Sequence, residues 1–496
     1  MAGLTEVPLH SQPPDRFREV IGDRFDEVLP VIARARERLA GRVIWHVNST
    51  ARGGGVAEIL RTYLAYVRGV GVDVRWMVVS GNPRFFEITK RLHNNLHGDP
   101  GDGGPLGQAE HDAYLQTLAD EAAELARLVR PGDVVFLHDP QTAGLVHALR
   151  GRGVLIVWRC HVGVDDPNDL VRRAWDFLRH DLDGADALVF SRPRFVWEGL
   201  EEQRIWIMPP TIDIFSPKNQ ELDPAAVAAI LERIGLGPDG SHDPPTYRRN
   251  DGAPARVNRE ARIVQDSILP ADAPLIAQVS RWDRLKDPLG LQRCFAEHLA
   301  DRQAHLAIAG PDVESVDDDP EGARVLAEVR GAWDELPSDQ RRRVHLVSLP
   351  MDDLDENAAM VNAIQRRASI VAQKSLAEGF GLTVAEAMWK AKPVVAGAVG
   401  GIQDQIVDGE SGILVDPADL AAVATALDDL LADPELAAEI GRNAQRRVIE
   451  EFLQIQRLTE YFEHMEELIE TESIGATVRS GLRRFLPRRF ARSGQA

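Results

Sequence analysis

Short apolar runs recur along this chain at a spacing that leaves room for a helix between them. That rhythm constrains the fold more than any single motif. VIWHV (43–47), VDVRWMVVS (72–80), VVFLH (134–138), VLIVWRC (154–160), ALVF (187–190) and IWIMP (205–209) form one series. LIAQVS (275–280), HLAIAG (305–310), VHLVS (344–348), SIVAQ (369–373), PVVAG (393–397) and GILV (412–415) form a second. Near-continuous apolar strands belong to parallel sheets covered on both faces. Strands that alternate with helices argue for an α/β protein of two doubly wound, Rossmann-like domains. At 496 residues the chain exceeds one ordinary core. The prolines and polar residues of MPPTIDIFSPKN (208–219) suit a linker, so the expected domains are 1–210 and 211–455. A helix is expected over 456–475, with the option of crossing back to the first domain. A tail over 476–496, with six arginines (479, 483, 484, 488, 489 and 492) and no acid, is expected to be disordered.

Charge and cysteine usage exclude several classes. Lys plus Arg is 57 against 77 Asp plus Glu, a formal net charge of −20, which makes a poor general nucleic-acid binder. The two cysteines, Cys160 and Cys294, show no metal-binding spacing, and a reduced cytoplasmic setting is expected. The N-terminus has no apolar core of a secretion signal, and no run approaches the ~18 apolar residues of a membrane span. Two polar, Gly- and Pro-rich stretches, 97–108 and 235–260, read as long loops.

Ligands of open α/β sheets bind outside the carboxyl ends of the strands, and the chemically suggestive residues all fall there. In KSLAEGFGLTVAEAMWKAKPVVA (374–396), Glu378 lies in a glycine-rich turn and Glu386 on the helix expected to start near Leu382. Gly379, Phe380, Gly381, Leu382 and Thr383 lead into that helix, whose unpaired N–H groups suit a phosphate. The same pattern also describes a tight turn with two solvated glutamates. Gly53, Gly54 and Gly55 join a strand to a helix and permit close approach of an anion, or form a plain connector. Arg281 and Lys286, five apart in SRWDRLKDP, offer a fork and a point charge for a diphosphate, or are two surface cations. His161 follows the strand VLIVWRC and is placed to donate to a sugar hydroxyl, or is a histidine satisfied in the core. His138 and Asp139 end another strand, and Asn48 and Ser49 end the first; these are candidate acceptor contacts or ordinary turn residues.

EGFGLTVAEAM, SRWDRLK, the strand–GGG–helix opening and CH after a strand together resemble the retaining nucleotide-sugar glycosyltransferases of family 4. HVNSTARGGGVAEIL, RWMVVSGNPRFFEITKRLHNNLHG, FLHDPQTAGL, WRCHVG and QRRASIVAQKSLAEGFGLTVAEAMWK resemble, more closely, the trehalose glycosyltransferring synthases of that family, from about residue 40 to residue 455. The resemblance implies a GT-B fold, a nucleoside diphosphate glucose as donor, free glucose as acceptor and α,α-trehalose as product. It implies that Arg281 and Lys286 hold the diphosphate, Glu386 the ribose and Glu378 the donor glucose, with His161 lining the reacting sugars and Gly54 and Gly55 passing near the donor. No tightly bound cofactor is expected, and neither a metal site nor a metal requirement is indicated. WRCHVGVDDPN departs from the WRCHID-like run of the group, at a segment that touches the acceptor. Other readings are a retaining transfer to a glucan, a sugar phosphate or a lipid, a trehalose phosphorylase, or a non-catalytic sugar-nucleotide sensor. The expected partners are small-molecule sugars and the nucleotide sugar, with no nucleic acid and no integral membrane contact. A homodimer through a surface such as the helix at 456–471 is compatible with the sequence, and no residue decides it.

Overall fold

Residues 3–51, 55–241, 243–313 and 320–485 are described by a computed structural model of the chain. Among the described residues the strands are β1 (Thr5–Val7), β2 (Ile44–Asn48), β3 (Val74–Val78), β4 (Val134–His138), β5 (Leu155–Cys160), β6 (Ala187–Phe190), β7 (Ile205–Ile207), β8 (Thr246–Arg248), β9 (Pro254–Arg256), β10 (Arg262–Val264), β11 (Leu275–Val279), β12 (His305–Pro311), β13 (Val344–Leu349), β14 (Ile370–Gln373), β15 (Val394–Gly397) and β16 (Ile413–Val415). They form two seven-stranded sheets, in the orders β1-β3-β2-β4-β5-β6-β7 and β10-β13-β12-β11-β14-β15-β16, and the hairpin β8-β9. Within each large sheet every pairing is parallel except that of the edge strands β1 and β10, which run antiparallel to β3 and β13. This is the GT-B architecture, with two doubly wound sheets.

Strands β2, β4, β5, β11 and β14 are buried along their whole length, as their apolar runs require. Alternate residues serve opposite faces of the first sheet. Trp45, Val47, Val135, Leu137, Ile156 and Trp158 pack against Phe85, Leu92, Tyr114 and Leu118 from the helices Pro83–Leu96 and Gln108–Leu128. Ile44, Val134, Phe136, Leu155 and Val157 belong to a second cluster with Phe25, Leu64, Tyr461 and Met465, which continues into Leu275, Ala277 and Val371 of the other sheet. Each fully buried aromatic or aliphatic side chain of this kind contributes about 1.5–3 kcal/mol of transfer free energy.

The chain passes between the halves twice, side by side. Ile212 donates its N–H to the Phe452 carbonyl (3.0 Å), and Gln454 donates to the Ile212 carbonyl (3.1 Å). The helix that follows, Gln454–Phe485, lies along the helix Phe25–Arg38 of the first half. There Arg34 Nε meets Glu466 at 3.2 Å and Arg38 meets Glu470 at 2.9 Å. The helix extends past the 475 limit expected from sequence, through the positions of Arg479, Arg483 and Arg484, while 486–496 lie outside the described residues.

The 235–260 stretch differs from the long loop its composition suggested. Its middle forms the hairpin β8–β9 and is tied to the helix Leu354–Arg367. Arg249 forms a two-pronged pair with Asp353, and Asn250 N–H meets Asp355 at 3.1 Å. Carboxylates at the helix start, accepting from the guanidinium and N–H groups of this polar segment, give it the partners that apolar burial does not supply.

Candidate functional site

The second-half wall of the cleft is assembled at the carboxyl ends of β11 and β14. Gln278, buried in β11, donates from Nε2 to the carbonyl of Lys286 (3.0 Å), which ties the following loop to the sheet. Asp283 organises that loop. One carboxylate oxygen meets Arg281 at 3.1 Å, and the other accepts the Leu285 N–H at 2.8 Å, capping the short 3-10 turn Arg284–Lys286. Burial alone would raise the Asp283 carboxyl, but Arg281, the Leu285 N–H and Lys286 hold it below the usual range. Lys286 Nζ donates to Glu378 Oε2, which also accepts from Ser375 Oγ at 3.2 Å. Behind this pair, Lys374 is bound to Asp287, the residue that caps the helix Pro288–His298 through the Gly290 N–H (3.0 Å). The structure thus brings Arg281, Lys286 and Glu378 together as a chain of alternating charges.

Gly381 starts the helix Leu382–Trp389 at φ 89°, a conformation that costs a side-chain-bearing residue energy. No side chain caps this start; the Val384 N–H goes to the Gly381 carbonyl (2.9 Å), and the N–H groups ahead of it suit an anion. Thr383 is hydrogen-bonded to Gln373 (3.3 Å), and Phe380 packs into the core at a ring distance of 5.9 Å from Phe452. Glu386 is not the open group its spacing suggested. It is 1% exposed and lies 3.4 Å from Lys218, which donates to both oxygens of Glu58 at 2.7 Å. Burial pushes the Glu386 carboxyl up against the pull of Lys218, and it pushes neighbouring Lys390 down to about 7. The contact is to Glu386 Oε1, while Oε2 is buried and has no hydrogen-bond partner among the described residues.

The first-half wall contains a row of rings. His46 on β2 is level with Phe136 on β4, and His138 at the end of β4 is level with Arg159 on β5. His138 lies two residues beyond Phe136, and His161 two beyond Arg159. The three histidines therefore climb one strand and two residues at a time across one face of the sheet. His46 Nδ1 and His138 Nε2 are 2.9 Å apart, and His138 Nδ1 and His161 Nε2 are 3.2 Å apart. The row ends inward at the Tyr461 hydroxyl, 3.1 Å from His46 Nε2. Burial, reinforced by the nearby Arg159 guanidinium, keeps all three imidazoles neutral, with His46 pushed down to about 3.

Asp139 adopts φ 64° without being glycine, a strained backbone of the kind found at functional sites. Its carboxylate accepts the His161 N–H (2.8 Å), its carbonyl accepts from Trp158 Nε1 (3.1 Å), and burial pushes its carboxyl up to about 7. Asn48 donates to the Thr50 carbonyl (2.7 Å) and accepts from Trp76 (2.8 Å), so both ends of its side chain are engaged within its own domain. Ser49 is half-buried beside it.

The two walls touch. A Cβ on Gly379 would lie 2.8 Å from the His161 carbonyl, and one on Gly55 would lie 3.4 Å from Leu382 Cδ1. Gly53 and Gly54 lie outside the described residues. Arg192, after β6, meets Asp165 at 2.8 Å and Asp404 of the second half at 3.0 Å. Two further residues at this seam escaped the sequence reading. His93 and His97, at the end of the helix Pro83–Leu96, are pushed below the usual histidine range by burial, His97 to about 4. Both sense the charge of Lys286 and Arg281, and His97 that of Glu378. Their i, i+4 spacing in HNNLHG (93–98) was the available signal, since it puts both rings on one side of a helix. His46 and Tyr461 were hidden inside an apolar strand and an amphipathic helix. Among the described residues, no group of three His, Cys, Asp or Glu side chains is placed to hold a metal ion. Nor is any helix among them long and apolar enough to cross a membrane.

Comparison with known proteins agrees with this geometry. The trehalose synthase N-terminal domain family matches residues 46–197, and the glycosyl transferases group 1 family matches 260–447. The trehalose synthase of Thermococcus litoralis is 35% identical over 454 residues, covering 90% of this chain and 95% of that protein. That of Rubrobacter xylanophilus is 35% identical over 422 residues, covering 84% and 88%. A trehalose phosphorylase of Pleurotus pulmonarius is 27% identical over 467 residues, covering 88% of this chain and 58% of its own length. Among solved structures, the α,α-trehalose 6-phosphate synthase of Burkholderia multivorans superposes with a TM-score of 0.63 at 18% identity, over 90% of this chain and 99% of that one. That likeness is one of fold. Coverage of nearly the whole chain at this identity, on a GT-B frame with matching halves, makes this chain a member of the trehalose synthase family of glycosyltransferases.

Proposed function

We propose that this protein transfers glucose from a nucleoside diphosphate glucose to free glucose, with retention, to form α,α-trehalose. The observation that carries the reading is the meeting of the two walls. The Glu378–Gly379 turn, with Lys286 bound to it, abuts the strand end that presents His161. A donor with its diphosphate on Arg281 and Lys286 and its glucose on Glu378 would have its anomeric carbon in that seam. In this scheme the bond from C1 to the phosphate oxygen breaks, and the acceptor hydroxyl forms the new C1–O bond on the same face. The departing phosphate takes the acceptor's proton. Negative charge grows on the leaving diphosphate, where Arg281 and Lys286 favour the transition state over the ground state. Contact between the halves excludes water that would compete as acceptor. The N–H groups at the start of Leu382–Trp389 suit the phosphate, and Glu386, whose Oε2 has no partner among the described residues, suits the ribose. The substrates are small sugars and a nucleotide sugar, and the scheme needs no redox cofactor.

The match to a trehalose phosphorylase over 88% of this chain supports a second reading, in which inorganic phosphate attacks trehalose from the place of the diphosphate. One experiment separates the two. ADP-, UDP- and GDP-glucose are each supplied with and without glucose, nucleotide release is followed, and the sugar product is identified by NMR. Glucose-dependent release with an α,α-1,1 linkage is the expected result. Consumption of trehalose that requires phosphate and ignores every nucleotide would establish the phosphorylase. Release that answers only to another acceptor would replace glucose.

A further inference from the structure

The direction of hydrogen bonding along the histidine row is decided at its buried end. Neutral imidazoles joined nitrogen to nitrogen each donate once and accept once, so the whole row points one way or the other. If it runs outward, Tyr461 donates to His46 Nε2, His46 Nδ1–H donates to His138 Nε2, and His138 Nδ1–H donates to His161 Nε2. His161 then carries its proton on Nδ1. If it runs inward, every proton is on the opposite nitrogen and His46 donates to the phenol oxygen. The Tyr461 hydroxyl proton is then left with no acceptor, because His46 is the partner of that hydroxyl among the described residues, and Tyr461 is 1% exposed. Each direction leaves one donor unmatched; run outward it is His161 Nδ1–H at the cleft end, where a sugar hydroxyl can accept it, and run inward it is the Tyr461 proton in the core, so the outward direction wins once a sugar is bound. At the other end His161 Nδ1 is buried and has no hydrogen-bond partner among the described residues. Asp139 is occupied with the His161 backbone N–H rather than with this ring atom.

We propose that Tyr461 is a positioning residue that acts through His46 and His138 to hold His161 in the tautomer with hydrogen on Nδ1, presenting a neutral N–H donor to a sugar hydroxyl. This rests on the reading of His161 as lining the reacting sugars. The neutral form matters chemically. A cationic imidazolium beside C1 would repel an oxocarbenium-like transition state, while an oriented neutral N–H fixes a hydroxyl without adding charge. The row makes such a donor without a carboxylate, and it anchors the donor in the helix that crosses back from the second half.

The test uses the full-length enzyme labelled with 15N-histidine, and long-range 1H–15N correlations that distinguish Nδ1–H from Nε2–H imidazoles, with His161 assigned by loss of its signals in His161→Gln. The wild type saturated with glucose is expected to show His161 as the Nδ1–H tautomer. Tyr461→Phe is expected to lose that preference and to lower kcat about tenfold with little change in donor KM. Tyr63→Phe removes a neighbouring phenol, packed edge-on to Tyr461 at 5.3 Å but outside the row, and should leave both readouts unchanged. A wild-type His161 protonated on Nε2, or a Tyr461→Phe enzyme that keeps the wild-type kcat, would overturn the proposal. The wild-type spectrum decides the direction even where the phenylalanine variant fails to fold. It is also independent of the trehalose reading, which fails separately, in the donor screen.

Discussion

At the strand ends of the first half the polar groups are neutral rings hydrogen-bonded in a row. At the equivalent ends of the second half they are full charges held in pairs. His46, His138 and His161 are kept uncharged by burial beside Arg159, whereas Lys286 and Glu378, and behind them Lys374 and Asp287, are paired ions. The same topology supports both because the carboxyl end of a parallel sheet supplies position rather than chemistry. The difference follows what each wall would hold. A diphosphate needs cations that persist as charge develops, while hydroxyls need oriented dipoles that do not attract water.

The sharpest test of this division is on the charged side. Lys286→Ala is expected to cut kcat by about 10²–10³-fold, the usual cost of removing one preorganised group from a developing charge. Far-UV circular dichroism should be unchanged, since Lys286 ends a short turn outside the sheet and the long helices. A kcat within a factor of two of wild type would show that the charged wall does not serve the leaving group.

Joining the walls is the next largest effect. Gly379→Ala places a Cβ where the His161 carbonyl lies 2.8 Å away, so the halves must separate by a few tenths of an ångström. A loss of about ten- to thirty-fold in kcat is expected from such misplacement. Small-angle scattering should show a slightly larger radius of gyration. Full activity would mean that the walls need not touch.

The smallest effect is one of slope, and it probes the neutral side. An unfolded histidine titrates near 6.5. His46 in the fold does so at about 3, so between these values only the unfolded chain binds the proton. Stability from this group is complete above about pH 6.5 and is lost as the pH falls, by about 1.4 kcal/mol per pH unit between roughly pH 6 and 4. Asp139, raised to about 7, acts with the opposite sign over that window and offsets about one such histidine. Chemical denaturation of His46→Leu at a series of pH values should therefore show a shallower acid limb, by close to one proton. An unchanged limb would mean that His46 is charged in the fold.

Much of this frame was legible in the sequence, because long apolar runs between helices have few other uses. The strands expected in both halves are present. β1 and β10 were not read, since three residues at a sheet edge carry too little pattern, and the hairpin inside 235–260 was masked by a composition that also describes loops. At the site, the spacing of Arg281, Lys286 and Glu378 was readable because turn motifs place groups locally. The burial of Glu386, read as a ribose contact, was not legible because its partner, Lys218, lies far away in the linker. The row from His46 to Tyr461 spans 415 residues, and register across three strands is not written in any local pattern.

That separation also has a consequence for how the protein is made. The face of the first sheet that carries His46 and Phe136 is completed by Tyr461 and Met465, among the last side chains described. At about 5–20 residues per second, the ribosome delivers Tyr461 on the order of 20–80 s after His46. For that interval the nascent first domain carries an apolar strip and an unanswered histidine nitrogen where its closing helix belongs. Its exposure to chaperones and to misassembly during synthesis is therefore set by the arrival of the C-terminal helix, not by the completion of its own strands.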